Sequence, residues 1–114
     1  MLDIRLYMAQ RLSALIMVPL VIGHIAVMIY AVQGGVTVDE ILSRTQGSFA
    51  WFLFYGSFVV AVSVHGAIGL RVISFEWLGL KGRSLTILSW MVFAGLLGLG
   101  GRAVFAVTLA GGGL

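Results

Sequence analysis

Two histidines, His24 and His65, are the side chains of this chain best suited to ligate a metal or to hold and release a proton. Each stands inside a long apolar run, where an ionisable group is expensive and marks a functional position by default. The chemistry open to them is axial ligation of a haem iron or a hydrogen bond to a neighbouring helix. Tyr7, Arg11 and Ser13 form a second polar group ahead of His24, and Arg71 and Glu76 follow His65. A guanidinium at a membrane surface can bind a haem propionate, a quinone carbonyl or a lipid phosphate. The chain has no cysteine, so it holds no disulfide, no Cys-ligated zinc and no iron–sulfur cluster by itself. Nothing resembles a nucleophile with its base, a phosphate loop or a carboxylate pair, which leaves hydrolysis and phosphoryl transfer without support.

The elements that position these residues follow from composition. Of 114 residues, 61% are hydrophobic and 10% charged, against about 25% charged in an ordinary soluble domain. A domain this small cannot hide so much apolar surface from water. Three uncharged runs, 12–32, 45–70 and 84–101, are each near the ~18–20 residues that cross a bilayer core as a helix. The expectation is an all-α membrane protein: one domain over 1–114 with three transmembrane helices, at about 10–32, 47–72 and 84–108. The first run contains Pro19 and His24 and is too long for a signal peptide. The apolar residues do not alternate, so a β-barrel is excluded. Pro19 predicts a kink in the first span.

Between the first two spans, Gly34 and Gly35 end one helix, and Thr37 with Glu40 three residues on predicts a short interfacial helix. The stretch 70–83, carrying Arg71, Glu76, Lys81 and Arg83, reads as the second connection. Ala94, Gly95, Gly98, Gly100 and Gly101 assign close packing to the third span, and 103–114 extends it outward with Arg102 snorkelling. Trp51, Tyr55 and Trp90 read as interfacial aromatic belt. The net charge of +3 forms no basic stripe, which argues against nucleic acid. Its distribution carries topology instead. Arg5, Arg11, Arg71, Lys81 and Arg83 share one side, against Arg44 and Arg102 on the other, so the N-terminus is expected to be cytoplasmic and the C-terminus opposite.

Depth separates the histidines. His24 lies 13 residues beyond Arg11, about 20 Å in from the inner boundary, while His65 lies six residues before Arg71, about 9 Å from the same boundary. Rings a third of a bilayer apart cannot grip one iron, so a haem on either needs its opposite ligand from another polypeptide. Ser57, Ala61, His65 and Gly69 recur every four residues and flank the imidazole with small side chains. Such a face admits a planar ligand or lets helices pack closely. Around His24 the face is Met17, Leu20, Val21, Val27 and Met28, compatible with a haem-pocket wall or with one interhelical hydrogen bond.

The segment His65-Gly-Ala-Ile-Gly69-Leu-Arg71, with Glu76 after it, resembles the second-helix signature of the cytochrome b membrane-anchor subunit of succinate dehydrogenase and fumarate reductase. Gln10-Arg11-Leu12-Ser13-Ala14 similarly resembles that family's His-Arg-x-Ser-Gly motif, and with the three spans the likeness covers most of the chain. Gln10, Ala14, Val72 and Tyr7 depart from the family's usual His, Gly, His and Ser. The resemblance implies His65 as haem ligand, with Arg11, Arg71, Ser13, Tyr7 and Glu76 near the haem propionates or the quinone. A Gly-His pair late in the first span resembles two-haem members, which implies two b haems, an inner one on His65 and an outer one on His24, each shared with a sister anchor subunit; the alternative is a single haem on His65 alone. It further implies an iron–sulfur subunit and an FAD flavoprotein as partners, quinone as substrate, and a multi-pass place in a bacterial inner membrane. The chain itself would not dehydrogenate. A haem-free structural or assembly membrane protein, and a cytochrome b subunit of another quinone-linked oxidoreductase, stand beside this reading.

Overall fold

A computed structural model describes residues 3–110. Four helices follow one another, α1 (Ile4–Gly34), α2 (Val38–Thr45), α3 (Phe49–Leu78) and α4 (Gly82–Thr108). Three of them, α1, α3 and α4, are long and apolar enough to cross a membrane. At ~1.5 Å per residue the 31 residues of α1 extend about 46 Å, close to the 47 Å long axis of the bundle. They therefore reach past a ~30 Å hydrocarbon core into both head-group layers.

The boundaries have local causes. Asp3 caps α1, its carboxylate accepting the Leu6 N–H at 2.9 Å, so the helix starts six residues ahead of the predicted span. It then runs without interruption through Pro19. Gly35 ends it with φ 114°, a backbone angle that side chains rarely adopt. The short helix expected between the first two spans is α2. Thr37 Oγ1 accepts the Glu40 N–H at 3.2 Å and donates to Glu40 Oε1 at 2.8 Å, a tightened form of the predicted capping box.

The second connection differs from its prediction. Residues 79–81 alone link α3 to α4, and Arg71 and Glu76 are helical residues of α3. Charge at the membrane margin does not break a helix. The break comes at Gly79, whose left-handed φ of 70° returns its N–H to the Ser74 carbonyl.

The spanning helices alternate in direction, with α3 packed between α1 and α4. Along α1 and α3, Ser13 meets His65 and His24 meets Tyr55 and Phe58. Along α3 and α4, Arg71 meets Ser89, and a Cβ on Gly100 would lie 2.8 Å from Val59 Cγ1. Of the other third-span glycines, Gly95, Gly98 and Gly101 face open space, so close packing in α4 rests on Gly100. The N-terminus and the α3–α4 connection share one end of the bundle, together with Arg5, Arg11, Arg71, Lys81 and Arg83. At the other end α2 serves as a lid on α4: Thr45 Oγ1 donates to the Val107 carbonyl at 2.6 Å and Gly47 N–H to the Thr108 carbonyl at 2.5 Å. Arg44 donates to the Gly35 carbonyl at 2.6 Å and lies over the Tyr30 ring. Orphan carbonyls at two helix ends thus find donors.

Candidate functional site

Ser13 is the one described residue of α1 that is buried, and it is polar. A serine in mid-helix satisfies itself by bonding back to its own turn, and Ser13 Oγ donates to the Gln10 carbonyl at 3.0 Å. That commits the only hydroxyl proton. On the other side, His65 Nδ1 of α3 stands 3.5 Å from the same Oγ. With that proton committed, the oxygen facing the ring is an acceptor, an arrangement that suits the tautomer with hydrogen on Nδ1 and a free Nε2 lone pair. A neutral imidazole in this tautomer, held by a bond at Nδ1, is what a metal-ligating histidine requires. Gln10 completes this corner. A Cβ on Gly69 would stand 3.6 Å from Gln10 Nε2, and Gln10 Oε1 is buried with no hydrogen-bond partner. Part of the predicted small-residue face therefore serves the α1–α3 crossing: Gly69 faces Gln10 and Ala61 is buried.

His24 occupies a separate level. It is eleven residues beyond Ser13 on α1, about 16 Å along the axis, so it and His65 cannot ligate one iron. Its ring receives Phe58 and Tyr55 edge-on, with centroids at 5.4 and 6.0 Å. Trp51 stacks on Tyr55 at 5.6 Å and 21°. Two residues read as aromatic belt thus form the wall behind the outer histidine. Residues 51, 55 and 58 share one face of α3, and that spacing is the signal that finds them. His24 Nδ1 is buried without a partner, an orphan polar atom of the kind that a group from outside the chain would satisfy.

The remaining expected site residues divide. Tyr7 and Arg11 are exposed neighbours one turn apart on α1, with Arg11 Nη1 donating to the Tyr7 hydroxyl at 3.3 Å and its guanidinium 5.6 Å from the ring centre. Arg71 follows His65 by six residues, which turns it about 120° around α3. It faces α4, where Nη1 donates to Ser89 Oγ at 3.4 Å and Nε is buried without a partner. Glu76 is exposed near the end of α3. The structure therefore joins Ser13 with His65 and Tyr7 with Arg11, and keeps His24, Arg71 and Glu76 apart. Among the described residues no three His, Cys, Asp or Glu side chains gather as a metal site.

The family of succinate dehydrogenase/fumarate reductase transmembrane subunits matches this sequence over residues 2–101. Neither the curated proteins nor the solved structures contain a match.

Proposed function

Because the chain belongs to the succinate dehydrogenase/fumarate reductase transmembrane subunit family, we propose that it anchors the electron-transferring subunits to the membrane and holds b-type haem on His65. The observation that carries this reading is the Ser13–His65 pair. The hydroxyl is already donating to Gln10, so it selects the His65 tautomer whose Nε2 can ligate iron. The haem, when bound, supplies one-electron chemistry between the iron–sulfur subunit and quinone. This chain supplies the rest. α1 and α3 hold the imidazole away from water, and Ser13 orients it. The second axial ligand comes from a sister anchor subunit, since no other histidine of this chain reaches the same level.

A second haem is assigned to His24, the outer histidine, whose buried Nδ1 lacks a partner within the chain. The Tyr7–Arg11 pair presents a hydroxyl and a guanidinium on the exposed face of α1 within two turns of Ser13, a place for a haem propionate or a quinone head group. Glu76 marks the same margin. Five basic residues at the end that carries the N-terminus support a cytoplasmic N-terminus in a bacterial inner membrane. There the iron–sulfur and FAD subunits dock and dehydrogenation takes place. The haem-free alternative uses the same contact, because Ser13 to His65 is itself an interhelical hydrogen bond. A reduced-minus-oxidised spectrum of the purified complex carrying His65→Ala separates the two. Loss of a sharp α band supports the ligand assignment, and a wild-type band overturns it.

A further inference from the structure

Arg71 lies about 120° around α3 from His65 and borders an open cavity of about 470 Å³ lined by α1, α3 and α4. The cavity opens at the basic end of the bundle. Its polar wall is Arg71, Ser89 and Thr86, with Arg5 at the rim, and its apolar wall includes Leu6, Ile68 and Phe93. Within the wall the charge is poorly matched. Arg71 reaches Ser89 Oγ only at 3.4 Å, and its Nε is buried without an acceptor. The one carboxylate there, Asp3, is engaged as the cap of α1 through the Leu6 N–H. A permanently charged guanidinium sunk among apolar helices calls for an anion.

We propose that this cavity is a binding site for an anionic phospholipid of the cytoplasmic leaflet. The phosphate accepts from Arg71 and from the Thr86 hydroxyl, since Ser89 Oγ already donates to the Leu85 carbonyl at 2.8 Å, and an acyl chain lies along Ile68 and Phe93. The arrangement has the order a lipid has, with a cation and a hydroxyl toward the basic end of the bundle and hydrocarbon beneath them. Trp90, two-thirds exposed on the same wall, is the amphipathic residue expected at that depth. Inorganic phosphate would use the cation and leave the apolar wall without an occupant.

The test is native mass spectrometry of the purified complex titrated with phosphatidylglycerol, with phosphatidylcholine and with inorganic phosphate. The wild-type complex is expected to retain phosphatidylglycerol preferentially. Arg71→Gln weakens that retention about ten- to a hundred-fold, the loss of a hydrogen bond to a charged group. Should Arg71→Gln fail to assemble, Thr86→Phe obstructs the cavity from an exposed position and leaves the cation in place, and it too must lower retention. Equal retention of phosphatidylglycerol by the wild type and either assembled variant overturns the proposal. So does phosphatidylcholine held as well as phosphatidylglycerol, or displacement of the lipid by inorganic phosphate.

Discussion

Removing the Ser13 hydroxyl is the sharpest perturbation of the inner histidine that leaves the histidine itself in place. Ser13 is 5% exposed, and its Oγ stands 3.5 Å from His65 Nδ1, the acceptor for Nδ1–H in the proposed tautomer. Ser13→Ala deletes that acceptor and creates almost no cavity. A hydrogen bond of this kind contributes about 0.5–1.5 kcal/mol net. Its effect falls mainly on the oxidised haem, because an imidazole donating at Nδ1 is the more basic ligand and favours Fe(III) over Fe(II). Losing it therefore raises the reduction potential. For one electron 59 mV corresponds to a factor of ten, so the expected rise is about 20–60 mV, and the 3.5 Å separation places it toward the lower part of that range. The assay is a potentiometric titration of the α band in the purified complex, with haem content measured on the same sample. Ser13→Thr keeps a hydroxyl and should return the potential to within about 10 mV of wild type, well inside one hydrogen bond's worth. A potential unchanged in Ser13→Ala, or moved equally in Ser13→Ala and Ser13→Thr, refutes the assignment of Ser13 as the residue that positions His65.

Three further outcomes follow from the packing. Gly100→Ala puts a Cβ 2.8 Å from Val59 Cγ1, an overpacking that costs about 1–3 kcal/mol. Thermal unfolding of the complex should show the loss, and adding Val59→Ala should recover most of it. Thr45→Val removes the donor to the Val107 carbonyl and destabilises the lid on α4 by about 1–3 kcal/mol, whereas Thr45→Ser retains wild-type stability in the same denaturation assay. Gly35→Ala forces a side chain onto φ 114° and into the Glu40 carboxylate, at a cost of at least about 1–3 kcal/mol. Increased proteolysis in the 33–47 segment of the assembled complex checks it.

The sequence makes the three spans legible because lipid is a simple solvent: an uncharged run of sufficient length has few other stable forms. The short α2 is legible for a local reason, since Thr37 and Glu40 stand at capping distance. The depth difference between His24 and His65 also survives, because rise per residue needs no knowledge of packing. What one sequence does not reveal is rotation about each helix axis. The spanning helices are apolar nearly all round, so hydrophobic periodicity carries almost no information on which face meets which. Arg71 illustrates this. Its spacing from His65 suggests company, yet 120° of rotation sends it to Ser89 and α4. Ser13 meeting His65 depends on the α1–α3 register, set by contacts such as Gly69 on Gln10 between residues 59 positions apart. The misplaced second connection has another origin. Arg71 and Glu76 suggest a loop by their charge, while helix termination depends on Gly79 and its left-handed backbone.

The central claim, that each half-buried imidazole holds its own b haem, is tested most directly by counting haem per complex in the wild type, His65→Ala and His24→Ala. The account predicts two, one and one, with the remaining α band differing between the two variants. Unchanged haem content in either variant contradicts the assignment of that histidine, and haem absent from the wild-type complex contradicts the account as a whole.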